Sequence, residues 1–89
     1  MMELKIASRT ITDESGRSRR FHYSLLIDQI ESGHFACEDY GVGIREEGGD
    51  QAAIPGITTS AMRIDELLTL LVEHEVGPTT LADVVADWL

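Results

Sequence analysis

The stretch Ala52-Ala53-Ile54-Pro55-Gly56-Ile57-Thr58-Thr59-Ser60-Ala61-Met62-Arg63-Ile64 divides the chain in two. Before Pro55 the apolar residues tend to alternate, the period of a strand with one buried face. From Ser60 onward they recur every three or four positions, the period of a core-facing helix. The switch predicts an α+β fold with its strands first and its helices last.

Working outward toward the C-terminus, Thr58, Thr59 and Ser60 offer N-cap oxygens, and Ser60 is the favoured one. The helix, about residues 61–76, places Ala61, Ile64, Leu67, Leu68 and Leu71 on one stripe. Gly77 stops it, with Pro78 following. Met62, Leu70 and Val72 fall off the stripe and need cover from a second helix or a second copy. Thr80 with Asp83 has the spacing of a capping box for a last helix over about 81–88. That helix is too short to hold alone, so Leu81, Val84, Val85 and Trp88 must dock.

Toward the N-terminus, the first strand covers about 3–12. Asp13-Glu14-Ser15-Gly16-Arg17 supplies a hairpin turn. In the second strand, about 19–30, Phe21, Tyr23, Leu25 and Ile27 share the face that should meet the helices. A third strand follows Glu31-Ser32-Gly33 over about 34–46, a length of roughly 40 Å at 3.3 Å per residue. Its parity slips: Phe35 and Cys37 point one way, Tyr40, Val42 and Ile44 the other. A bulge near Glu38-Asp39, or a break at Gly41, would reconcile them. Ala52-Ala53-Ile54 allows a short fourth strand over about 52–55, ended at an edge by Pro55-Gly56. The expectation is an antiparallel meander of three long strands, with room for that fourth, carrying two C-terminal helices on one face.

With 89 residues the chain makes one domain with one core. Being 43% hydrophobic and 26% charged, it has the composition of a globular protein, not a disordered one. The lone Cys37 has no intramolecular disulfide partner. The opening Met-Met-Glu-Leu-Lys-Ile does not read as a signal peptide, and no apolar run approaches the ~20 residues of a membrane span. Cytoplasm is the expected compartment. Net charge is −9, and it is unevenly placed. Residues 1–20 carry five basic groups against three acids, whereas residues 21–89 carry two against thirteen. A body this acidic repels nucleic acid and anionic lipid.

Several segments together resemble an uncharacterised family of short bacterial proteins, a domain of unknown function. They are Ser8-Arg9-Thr10-Ile11-Thr12, Phe21 to Ile30 with Glu31-Ser32-Gly33-His34-Phe35, and Tyr40-Gly41-Val42. Glu46 to Ile57, Arg63-Ile64-Asp65 and Pro78 to Leu89 extend the similarity over nearly the full length. The resemblance implies a complete small protein and brings no activity, cofactor or partner with it.

Few constellations could carry chemistry. His34, Cys37, Glu38 and Asp39 lie within six residues, and His22 could lie on the neighbouring strand. A structural zinc site wants four converging ligands, but His34 and Cys37 point to opposite faces of a strand unless a bulge intervenes. The alternative is a buried Cys37 beside exposed histidines. As a nucleophile Cys37 is poorly placed, because Glu38 and Asp39 oppose thiolate formation. The pairs Glu38-Asp39 and Glu46-Glu47 diverge on a strand, and Gly41-Val42-Gly43 lacks the pattern of a phosphate loop. Arg17, Arg19 and Arg20 form a basic cluster at the first hairpin, a candidate docking surface for an acidic partner.

The expected function is therefore a non-enzymatic interaction or regulatory module without cofactor. It would work with a protein partner or a second copy through an uncovered sheet face or edge strand. The alternatives are a metal-binding protein or enzyme built on the His34–Asp39 segment, and an acidic decoy that mimics nucleic acid.

Overall fold

A computed structural model describes residues 1–89, the side chain of Ser32 excepted. Four strands come first: β1 (Met2–Thr12), β2 (Ser18–Ser32), β3 (Phe35–Glu46) and β4 (Gln51–Thr58). Helix α1 (Ala61–Glu73), a 3₁₀ turn (Pro78–Thr80) and helix α2 (Leu81–Trp88) complete the chain. The strands form one antiparallel sheet in the order β1-β2-β3-β4, so β1 and β4 are its edges.

Local chemistry sets each connection. The Asp13 carboxylate accepts from the Ser15 hydroxyl (2.6 Å) and from the backbone N–H groups of Arg17 (2.9 Å) and Ser15 (3.0 Å). These bonds close the first hairpin and hold its carboxyl below the usual value, the Ser15 hydroxyl contributing most. Ser60 caps α1 as the sequence predicts, its hydroxyl accepting from the Arg63 N–H at 3.2 Å. Thr80 and Asp83 do not form a capping box. The Thr80 side chain makes no cap bond to α2, and its hydroxyl donates to the Gly77 carbonyl instead.

Phe21 and Tyr23 of β2, Val42 and Ile44 of β3, and Ile64, Leu67, Leu68 and Leu71 of α1 build the core, closed by Val76, Leu81 and Val85. The helices thus cover the predicted face. Trp88 is half-buried beneath the Arg63 guanidinium, 4.3 Å from the ring centroid, which ties the end of α2 to the start of α1. Leu70 and Val72 pack against the core, while Met62 stays exposed.

Three features differ from the sequence expectation. Helix α1 ends at Glu73, before Gly77, because Glu75 takes the left-handed conformation (φ 53°) usually given to glycine. Its N–H donates to the Val72 carbonyl (3.2 Å) and that of Val76 to Leu71 (3.0 Å), a Schellman closure completed by buried Leu71 and Val76. Strand β4 runs through Pro55 to Thr58; an edge strand has outward N–H positions that need no partner. Of the two irregularities offered for β3, the bulge near Glu38-Asp39 is absent, and one does occur at Gly41, though in the pairing with β4. Pairing with β2 is continuous from Phe21↔Glu46 to Ser32↔Phe35, and the irregularities lie at Lys5/Ala7 in β1 and opposite Gly41, between β3 and β4.

Gly41 is needed at that second irregularity. A Cβ there would overlap the Ile54 carbonyl oxygen and sit 2.5 Å from Pro55 Cα, both backbone atoms that cannot swing aside. At Gly43 the nearest atoms would be 3.7 Å away, ordinary contact. Gly41→Ala should therefore cost about 3 kcal/mol or more and Gly43→Ala no more than about 1 kcal/mol in urea unfolding. Equal costs would show that β4 does not cross so close.

The Tyr23 hydroxyl donates to the Val76 carbonyl at 2.8 Å inside the core. Burial, reinforced by the Glu75 carboxylate and opposed by Arg9, pushes the Tyr23 pKa up to about 12. An unfolded tyrosine ionises near pH 10, so above that pH the unfolded chain loses its proton first. Stability should stay level up to about pH 10 and fall as pH rises through 12. Tyr23→Phe should cost about 1–3 kcal/mol at neutral pH and flatten that alkaline slope. Tyr40, also raised by burial, leaves a residual slope. Unfolding measured from pH 8 to 12 checks both, and an unchanged slope would remove Tyr23 as its source.

Candidate functional site

The helices leave much of the sheet uncovered. Strand β2 has 15 residues, roughly 50 Å of extended chain, and the molecule is 54 Å long. Helix α1 has 13 residues, roughly 20 Å. The far end of the β2–β3 hairpin therefore projects as an arm, and one whole sheet face carries no helix.

On the open face the register aligns Lys5, Ser24, Gly43 and Ala53 in one cross-strand row, and Ser8, His22, Arg45 and Gln51 in the next. Small residues on the central strands leave a trough of about 540 Å³, with Glu3 and Lys5 on one side and Gln51 and Ala53 on the other. The Glu3 carboxylate leans over its floor, 3.7 Å from where a Gly43 Cβ would lie. His22 lines one end and is only 7% exposed. Both its ring nitrogens are enclosed without a hydrogen bond. Glu47 Oε2 lies 3.4 Å from Nε2, out of line for one.

Apolar side chains are exposed in two further places, the first on the β1 edge and the second on the open face of the arm. Along β1, Met2, Leu4 and Ile6 are exposed, and on the arm so are Ile30 and Phe35, the latter at 80%. Met2 and Leu4 pair with Ile27 and Leu25, so they prolong the helix-side row beyond the end of the helices.

The structure disperses the residues singled out in the sequence. Pairing sends Cys37 and Asp39 to the open face with Ile30 and Asp28, and Glu38 to the helix side with Gln29. His34 lies in the exposed turn before β3. Cys37 is exposed, not a buried hydrophobe, and His22 is buried, not exposed; both reverse the sequence expectation. His22 sits opposite Arg45, far along β2 from Cys37, which pairs with Ile30. Among the described residues no three or more His, Cys, Asp or Glu side chains converge as metal ligands. The basic cluster is divided and partly neutralised. Arg19 bonds Glu46 on the helix side, lowering the Glu46 carboxyl below its ordinary value, and Arg20 reaches Glu47 at 3.4 Å on the open face. Arg17 remains in the exposed turn.

Sequence reading missed the trough and the apolar edge. The one available signal for the trough was the shared parity of Gly41 and Gly43, with Ser24 on the neighbouring strand. For the edge it was the alternation of Met2, Leu4 and Ile6 in a strand otherwise polar.

Enclosing an unbonded imidazole costs about 1–3 kcal/mol. His22→Phe, which keeps a flat ring and removes both orphaned nitrogens, should leave stability unchanged or raise it by up to about 1 kcal/mol in thermal or urea unfolding. A clear loss would show that a His22 nitrogen holds a partner in solution.

Among the described residues no helix is long and apolar enough to cross a membrane. Comparisons with curated proteins and with solved structures give no match. One family model matches residues 2–89, which takes in the whole sheet and both helices, and the chain belongs to that family, a family of unknown function (DUF6514).

Proposed function

We propose that this chain is a small non-enzymatic protein-interaction module of regulatory kind, acting in the cytoplasm through the sheet surface its helices leave open. The observation that carries this reading is the set of exposed apolar side chains on the sheet: Met2, Leu4 and Ile6 along the β1 edge, and Ile30 and Phe35 on the open face of the arm. A run of exposed large hydrophobics such as Met2, Leu4 and Ile6 is costly in water unless a partner covers it. An unpaired strand edge beside them adds main-chain donors and acceptors for β-augmentation. The free, exposed thiol of Cys37 suits a reducing compartment. The net charge of −9 argues for a protein surface as partner and against nucleic acid.

The alternatives draw less support. A metal or catalytic centre on the His34–Asp39 segment is a weaker reading, because Cys37 and Asp39 share the open face without Glu38, and among the described residues no three such side chains converge. A nucleic-acid decoy would need its acids free along one surface, whereas Glu46, Glu47 and Glu75 are engaged by Arg19, Arg20 and Arg9.

Site-specific photo-crosslinking in the native cell tests the reading. A photoreactive phenylalanine at Leu4 or Phe35 should give discrete crosslinked protein bands, and one at helix positions Glu66 or Asp87 should not. Bands of equal intensity from both sets, or none from the sheet positions, would overturn it.

A further inference from the structure

We propose that β1 pairs with β1 of a second copy, antiparallel and centred on Leu4, joining two four-stranded sheets into one of eight. This deepens the proposed interaction function and rests on it. β1 is an outer strand of 11 residues whose far side has no neighbour in the sheet. Its residues Met2, Leu4 and Ile6 are 55%, 45% and 46% exposed. Such an edge is a template for another strand.

The order of residues selects both the partner and the register. In a two-fold antiparallel pair centred on Leu4, Met2 faces the partner's Ile6, Leu4 faces the partner's Leu4, and Glu3 faces the partner's Lys5. By symmetry each unlike pair occurs twice. The two Leu4 side chains meet on the helix side, where Leu4 and Met2 already adjoin Leu25 and Ile27. Opposite charges meet on the open face, where Glu3 and Lys5 adjoin Leu26 and Ser24. Among the described residues neither Glu3 nor Lys5 has an ion-pair partner within its own chain; the ion pairs of β1 and the N-terminus are Arg9 with Glu75 and the terminal amine with Asp28.

Neighbouring registers are penalised. Centring on Glu3 sets two carboxylates face to face, and centring on Lys5 sets two ammonium groups face to face. A centre between residues opposes charged to apolar side chains along the whole segment. The irregularity at Ile6 bends the strand and confines the regular pairing to about residues 3–5, with Met2 and the partner's Ile6 at its ends.

Sedimentation equilibrium, with circular dichroism to show that each variant is folded, tests the pairing. The chain should pass from 9.8 kDa to twice that mass by about 100 µM. Lys5→Glu and Glu3→Lys should each weaken association at least about tenfold, because each sets like charges opposite one another twice. The double exchange Glu3→Lys with Lys5→Glu restores opposite pairs in reverse and should return affinity to within about threefold of the original. A monomer at every concentration overturns the proposal, as does a dimer insensitive to the single exchanges or not rescued by the double one. The wider reading fails separately: a strictly monomeric chain that still crosslinks from Phe35 to another protein keeps the interaction module and loses only the self-pairing.

Discussion

A long sheet under a short helix is the constraint on which the other features depend. Extended chain advances about 3.3 Å per residue and helix only 1.5 Å, so 13 residues of α1 cannot match 15 of β2. The core is therefore confined to Phe21, Tyr23, Val42 and Ile44, where the helices lie. Farther along the same strands the side chains that continue those rows, Leu25, Ile27 and Tyr40, are only half covered. A domain of this size has little stability in surplus, and an extended uncovered sheet is an expensive shape for it. That cost is understandable if the sheet surface is the working part of the molecule.

The short helix is held in place by a cluster at its C-terminal end. The Tyr23 hydroxyl donates to the Val76 carbonyl, Arg9 lies 3.4 Å from the Glu75 carboxylate, and Phe21 packs beside Gly77. These contacts come from β1 and β2 and meet one turn of chain. They help to explain a non-glycine residue at φ 53°. A left-handed residue costs about 1–2 kcal/mol, and here it aims Val76 into the core and its carbonyl at Tyr23. Burial there, reinforced by Glu75 against Arg9, raises the Tyr23 pKa, so the hydroxyl keeps the proton that makes the bond well into the alkaline range.

Local signals in the chain were sufficient for much of this fold. Ser60 caps the helix because its hydroxyl reaches an N–H three residues on, and Phe21, Tyr23, Leu25 and Ile27 share a face because strands alternate. The departures arise where distant residues decide. Pro55 reads as a stop, yet β4 continues because it is an edge and Gly41 lets its backbone come close. Gly77 reads as the helix terminus, yet Glu75 takes the turn because Tyr23, 53 residues from Val76, secures the Val76 carbonyl. The parity slip in β3 needs no bulge. Phe35 and Cys37 are outside the core, on the open face of the arm, so no rule requires them to agree with Val42 and Ile44. The candidate surface was harder still to read. Ser24, Gly43 and Ala53 become one floor only when the register is known, and Met2 and Leu4 become exposed only when the helix proves too short to reach them.

Edges that pair can also polymerise, and the two edges of this sheet differ in a way that bears on this. If β1 could join β4 of another copy, sheets would add head to tail without limit. Strand β4 is a poor acceptor. Pro55 has no N–H to give, its register jumps opposite Gly41, and Gly56 turns with φ 64° at the same point. β1 carries a regular segment from Met2 to Lys5 before its own irregularity, long enough for one short pairing. A regular edge that complements only itself, beside an irregular edge that complements nothing, gives a closed pair. Glu3 and Lys5 sharpen that outcome, since their opposition is satisfied in one register and violated in those centred on either residue. In the proposed pairing, the apolar edge that would be an aggregation hazard in isolation becomes a finite interface.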